Sequence, residues 1–274
     1  EGSAQCVERL RRGNETRTAV VTSAGPVEGL QVQVIRDETE LEAVRRARDS
    51  VLANISHEFR TPLAAQLASI ELLLDNLDTM QPAQRRELTE SLQRGALRLT
   101  RLIDNLLESV RIESGQLAIR RQSVDLAEAI EDACALIGSL LALRRQRLEV
   151  SLPEELPLIE GDKHRLTQVF VNLLANANKF APEGSTVRIG ADTDEGRLTV
   201  WVEDEGSGPT SPADEGLFAP FRRGADQEPE PGGLGLGLWI VRSIVERHGG
   251  TVVMERTAEG HTRFTMILPV EVTA

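Results

Sequence analysis

Tyrosine is missing from this chain, aromatic residues make up only 3% of it, and lysine occurs only at Lys163 and Lys179. The core must then be built from Leu, Val, Ile and Ala, which favours helices and helix-on-sheet packing. Cysteine is nearly absent too: Cys6 and Cys134 form no disulfide framework and have no metal-type spacing, which fits a reduced, cytoplasmic compartment. No apolar run approaches the ~20 residues of a membrane span, and no signal peptide is visible, so no membrane contact by this segment is expected. Positive charge is in deficit, with 31 Lys and Arg against 43 Asp and Glu and a formal net charge of −12. That argues against a nucleic-acid partner, which needs a basic face. The sequence does not open with Met and is expected to be a fragment, which leaves a membrane-anchored parent open.

Residues 1 to about 40 read as short strands. Ala19-Val20-Val21 and Leu30 to Ile35 run apolar or alternate, and Ala24-Gly25-Pro26 breaks them. A helix is expected from Thr39, with Leu41, Val44, Arg48, Val51 and Ile55 stepping by 3 and 4, then Leu63, Leu67, Ile70, Leu74 and Leu77. Pro62 removes a backbone donor and clashes with the Glu58 carbonyl, so the helix should bend or loosen there. A turn at 78–82 leads to a second helix through Leu88, Leu92, Leu99, Leu102, Leu106 and Val110, capped by Gly115. Two long helices with one narrow apolar stripe each cannot hide it alone. Two copies forming a four-helix bundle can, and this ranks above an intramolecular hairpin packed on the rest of the chain.

From Gly115 the texture changes to mixed strands and helices: strands at 116–121, 147–152 and 157–160, and helices at 125–143, 162–178 and 236–247. A hairpin is expected at 186–191 and 197–202, and strands at 251–256 and 262–268. This order reads as an α/β two-layer sandwich.

Chemistry concentrates in two places. Asn54 to Leu63 sets His57 beside Glu58 inside the long helix. A neutral imidazole is a good nucleophile with a free pKa near cellular pH. In the helix 162–178, Gln168, Asn172, Asn176 and Lys179 share a polar face opposite Leu166, Val169, Phe170, Leu173 and Ala177. Amide oxygens suit a hard cation and an ammonium suits phosphate. Asp204 ends a strand before Gly206 and Gly208, where a carboxylate can accept a hydrogen bond from an exocyclic amine. Gly233, Gly235 and Gly237 open a helix, and backbone amides there form an anion site. A dinucleotide fold fails because no strand precedes these glycines, and a P-loop fails because no Gly-Lys-Ser/Thr is present.

The segment His57-Glu58-Phe59-Arg60-Thr61-Pro62 resembles the phosphoacceptor box of sensor histidine kinases. Asn172 to Phe180 resembles their asparagine box, Asp204 to Gly208 their adenine box, Leu217 to Arg223 their phenylalanine box and Gly233 to Leu238 their glycine loop. Phe59 and Glu205 depart mildly from the commoner Leu and Asn. Residues 35–40 resemble the exit of a PAS sensor domain.

The resemblance implies an α+β multidomain chain. It would comprise a PAS-like remnant at 1–38, a coiled-coil linker at 39–56, a dimerisation and histidine phosphotransfer domain at 51–115, and a GHKL-type ATP-binding domain at 116–274. The helical hairpin would form a dimeric four-helix bundle through residues 41–113. ATP would bind at Asn172, Asn176, Lys179, Phe180, Asp204, Gly206, Gly208, Phe221, Arg223, Gly233, Gly235, Gly237 and Leu238, with Mg²⁺ on Asn176. His57 would be the phosphoacceptor, Glu58 its base and orienter, and a response regulator receiver domain the partner. Thr61, one turn beyond His57, would position water for dephosphorylating that regulator. A GHKL ATPase of the chaperone or mismatch-repair type would share the ATP boxes but lack the preceding helix pair. His164, His248 and His261 receive no catalytic role.

Overall fold

The computed structural model describes residues 4–12, 15–27, 30–194, 196–208, 215–221 and 234–270. The chain divides into two units, Glu1–His57 and Glu58–Ala274. In the first, strands β1 (Ala4–Arg12), β2 (Glu15–Val27) and β3 (Leu30–Asp37) form an antiparallel sheet in that order. One expectation is corrected here. Ala24-Gly25-Pro26 does not end a strand: β2 runs on to Val27, and its register with β3 shifts between Ala24 and Val27. An irregularity of that kind accommodates a proline that cannot donate to the ladder. The strand β1 falls within the residues 1 to about 40 expected to form short strands, though its mixed polar sequence hides the alternation. The exit is pinned by Thr39, whose hydroxyl accepts from the Thr18 N–H at 2.9 Å and donates to Asp37 Oδ1 at 2.6 Å. That bond and the Thr39 N–H hold the Asp37 carboxyl below its ordinary range.

Helix α1 (Thr39–Asn76) continues through Pro62 without interruption. Helix α2 (Pro82–Glu113) starts with Pro82 at its first turn, where a missing N–H costs nothing, and the Gln81 N–H bonds Gln84 Oε1 at 3.1 Å. Gly115 follows it with φ 71°, the left-handed conformation that glycine permits at a helix end. The hairpin's register is set where α2 has no side chain: a Cβ on Gly95 would lie 3.0 Å from Gln66 Cγ. Gln66 Nε2 also donates to the Leu92 carbonyl at 3.2 Å. On the outer side Leu63, Leu67, Ile70, Leu74 and Leu77 of α1 stay exposed, as do Ile103, Leu107 and Val110 of α2.

The rest of the second unit is an α/β sandwich. Its sheet has the order β5 (Arg147–Ser151), β7 (Thr186–Asp194), β8 (Arg197–Asp204), β10 (Thr262–Pro269), β9 (Thr251–Arg256), parallel only between β5 and β7. Helices α3 (Leu126–Leu143), α4 (Lys163–Phe180) and α5 (Gly237–Arg247) cover one face, and their apolar stripes are buried. The expected strand at 116–121 is absent. Strand β4 is instead Gln122–Val124, paired with β6 (Ile159–Gly161). Its short length, and the Leu117-Ala118-Ile119 run ahead of it, drew the reading upstream.

Four side chains lock the helices in place. The His248 ring, buried at the end of α5, accepts the Asp162 N–H on Nε2 at 3.0 Å and faces the Ile244 carbonyl with Nδ1 at 2.7 Å. This fixes the neutral tautomer with the proton on Nδ1, and burial lowers the pKa of the ring. Asn178, the amide next to the polar face of α4, bonds Gln146 Oε1 at 2.8 Å and the Leu140 carbonyl at 3.2 Å. At the end of α2, the buried Glu108 has Arg165 Nη1 at 2.7 Å and Arg111 Nη1 at 3.5 Å. The closer approach is a charge contact off the N–H axis, since Glu108 Oε1 makes no hydrogen bond. Arg247 Nη1 also donates to the Leu117 carbonyl at 2.7 Å.

Candidate functional site

On α1 the residues Ser56, His57, Arg60 and Thr61 are exposed, while Glu58 and Pro62, one turn apart, are buried. Helical periodicity makes that division, since residues four apart share a face. Glu58 is only 5% exposed, and Arg98 Nη2 from α2 lies 3.7 Å from its Oε2. Sequence reasoning missed Arg98. Its signal was its place three residues after Gly95 and four before the buried Leu102, on the seam between the helices.

The second cluster is assembled by α4. Its inner residues Leu166, Val169, Phe170, Leu173, Leu174 and Ala177 are buried against the sheet, which leaves Asn172, Asn176 and Lys179 toward one side. Asn172 is itself buried, with Nδ2 lacking a hydrogen-bond partner. Its Oδ1 lies 3.5 Å from where a Cβ on Gly237 would sit, so the start of α5 adjoins it. No side chain caps that start, and the first amides of α5 remain available to an anion. Just upstream, Gly235 has φ 68° and its carbonyl accepts the Phe221 N–H at 3.1 Å. Phe221 also has a positive φ of 59°, a conformation uncommon for a bulky side chain. Leu238 is half-buried.

At its other end α4 meets the turn after β8. A Cβ on Gly206 would lie 3.0 Å from the Phe180 carbonyl oxygen, which only glycine tolerates. Phe180 is exposed, and Lys179 Nζ lies 4.1 Å from the centre of its ring. Asp204 is 3% exposed and accepts the Gly206 N–H on Oδ1 at 2.8 Å. Burial raises its pKa to about 6, against the lowering effect of that hydrogen bond. Thr262, opposite Asp204 on β10, donates its hydroxyl to the Gly206 carbonyl at 2.8 Å. It also closes the space beside Gly208, where a Cβ would meet Thr262 Oγ1 at 2.5 Å and φ is 59°. Thr262 was not singled out from the sequence, because only strand pairing brings it to the turn.

Asn172, Gly237, Gly235 and Phe221 thus form one group of contacts, and Phe180, Asp204, Gly206 and Gly208 form a second at the C-terminal end of α4, with the helix itself connecting the two. Asn176 and Lys179 lie on the same helix. Arg223 and Gly233 fall outside the described residues. A separate cleft of about 640 Å³ lies at the opposite end of α4, lined by Arg120, Asp132, Leu136, Lys163 and His164 among others. Its Lys163 is already paired with Glu128 at 2.9 Å and Asp132 at 3.1 Å, and it shares no residue with the cluster.

Residues 47–115 match the His Kinase A (phospho-acceptor) domain family. Residues 161–272 match the family of Histidine kinase-, DNA gyrase B-, and HSP90-like ATPases. Sensor protein KdpD of Escherichia coli (strain K12) is 32% identical over 256 residues, which cover 93% of this chain and 28% of KdpD. The signal transduction histidine-protein kinase BaeS of the same organism is 31% identical over 264 residues, covering 96% of this chain and 56% of BaeS. The crystal structure of full-length ShkA in complex with AMPPNP aligns with a TM-score of 0.56 and 27% identity, over 80% of this chain and 45% of ShkA. The chain thus spans 28% of the length of one curated relative and 56% of the other. With a phospho-acceptor helix pair directly followed by this type of ATPase domain, the chain belongs to the class I sensor histidine kinases.

Proposed function

We propose that this chain phosphorylates its own His57 from ATP and passes the phosphoryl group to an aspartate on the receiver domain of a response regulator. The observation that carries this is the conjunction, in one chain, of an exposed helical histidine with the pairs Asn172–Gly237 and Asp204–Gly206 set along α4. Asp204 would accept the exocyclic amine of adenine, with Gly206 and Gly208 letting the backbone approach the ring. Lys179, Arg223 and the amides at Gly235 and Gly237 would hold the phosphates. ShkA, which aligns with this chain and was crystallised in complex with AMPPNP, supports nucleotide binding.

Among the described residues no cluster of three or more His, Cys, Asp or Glu could hold a metal. An Asn176 amide oxygen would suit Mg²⁺ shared with phosphate oxygens, and the unpaired Asn172 Nδ2 could donate to a phosphate oxygen. When bound, that ion supplies charge neutralisation. The residues themselves do the positioning that phosphoryl transfer chiefly requires. One ring nitrogen of His57 forms the N–P bond as the bond from phosphorus to the ADP oxygen breaks. Glu58 takes up the proton from the other ring nitrogen. Thr61 would orient water when the regulator is dephosphorylated. An ATP-dependent reaction of this kind supports a cytoplasmic location for the chain.

Phosphorus NMR of the chain with ATP and Mg²⁺ tests this reading. A phosphoramidate resonance growing with ADP, and missing in His57→Gln, is expected. Free phosphate without any phosphoramidate would instead indicate an ATPase of the chaperone class.

A further inference from the structure

We propose that Arg98 is a positioning residue for the transfer to His57, acting through Glu58; this rests on the function proposed above. Glu58 stands out in its surroundings. Ser56, His57, Arg60 and Thr61 are exposed, yet the carboxylate between them is 5% exposed and faces the hairpin seam. A buried carboxylate stays ionised only beside a compensating charge, and an ionised Glu58 is what the proton transfer from the ring demands. Arg98 Nη2 supplies that charge at 3.7 Å, while its own side chain remains 37% exposed. The distance is that of a charge pair across the seam between α1 and α2. The Gly95–Gln66 close approach and the bond from Gln66 to the Leu92 carbonyl fix the register that puts Arg98 level with Glu58. A sliding of α2 along α1 would remove the counter-charge.

The experiment measures autophosphorylation rate and ATP KM for the parent, Arg98→Gln, Arg98→Lys, Glu58→Gln and the double variant Glu58→Gln/Arg98→Gln. Arg98→Gln is expected to lower kcat about 10- to 100-fold with ATP KM unchanged, and Arg98→Lys to recover most of it. The double variant is expected to be no slower than Glu58→Gln alone, because Arg98 has nothing left to act through. Losses that multiply in the double variant, no rescue by Lys, or a raised KM would each overturn the proposal. If Arg98→Gln fails to fold, the comparison of Arg98→Lys with the parent and of Arg98→Met with Glu58→Gln/Arg98→Met carries the same test. A parent that takes no phosphoryl group sinks the underlying function, whereas a phosphorylated parent indifferent to Arg98 sinks this proposal alone.

Discussion

Asp204 is the residue at which stability and binding pull in opposite directions. Its carboxyl, ordinarily near 3.8, is raised to about 6 by burial. A carboxyl raised on folding stabilises the fold most below pH 3.8, and that contribution is lost as the pH rises through about 6. At pH 7 the difference corresponds to about 3 kcal/mol. Asp204→Asn, which keeps an oxygen for the Gly206 N–H, should therefore melt higher than the parent at pH 8 and lose that advantage below pH 4. The same variant should lose ATP affinity, and affinity of the parent should fall as pH drops below about 6. Thermal melts across pH, with and without nucleotide, check all three. The carboxylate at a strand end was legible in the sequence from the glycines that follow it. Its burial and its link to Thr262 were not, because they arise from the pairing of β8 with β10, whose partners lie 58 residues apart (Thr262↔Asp204).

At the scale of the element, α4 was legible nearly to its ends because its apolar and polar faces separate cleanly at helical spacing. Its anchoring was not. His248, read as a helix end, ties α5 to the start of α4 through Nε2, while Nδ1 bonds back to the Ile244 carbonyl of α5. Its lowered pKa means that its contribution to stability is complete above pH 6.5 and falls as the pH drops toward the folded value. His248→Ala leaves the Asp162 N–H without its ring acceptor and empties a buried side-chain site, and should cost about 2–4 kcal/mol in urea unfolding at pH 7.5. Glu108 gives a parallel case. Arg165→Met leaves this buried carboxylate without its nearer cation and should cost about 3–5 kcal/mol, whereas Arg165→Met with Glu108→Leu should recover most of that. Tertiary contacts of this sort carry no periodic signature, and for that reason neither was expected. Strand β4 was misplaced for a related reason: with three residues it is defined by its partner β6 and not by its own pattern.

For the whole molecule, the apolar stripes on α1 and α2 lead to the proposed homodimer. Leu67 is 59% and Leu74 73% exposed in the single chain, and neighbouring exposed leucines of this kind mark an interface. Leu67→Glu combined with Leu74→Glu should convert the dimer to monomers in sedimentation velocity while leaving nucleotide affinity unchanged. The heptad spacing made these positions legible, but which of them face a second copy follows only once the hairpin register is known. The central claim is that His57 receives the γ-phosphate of ATP held at the α4–α5 site. Its most direct test is incubation with γ-labelled ATP and Mg²⁺, comparing the parent with His57→Gln and Asn176→Ala. The account predicts acid-labile, base-stable label on the parent and none on either variant. Label that persists on His57→Gln would contradict it.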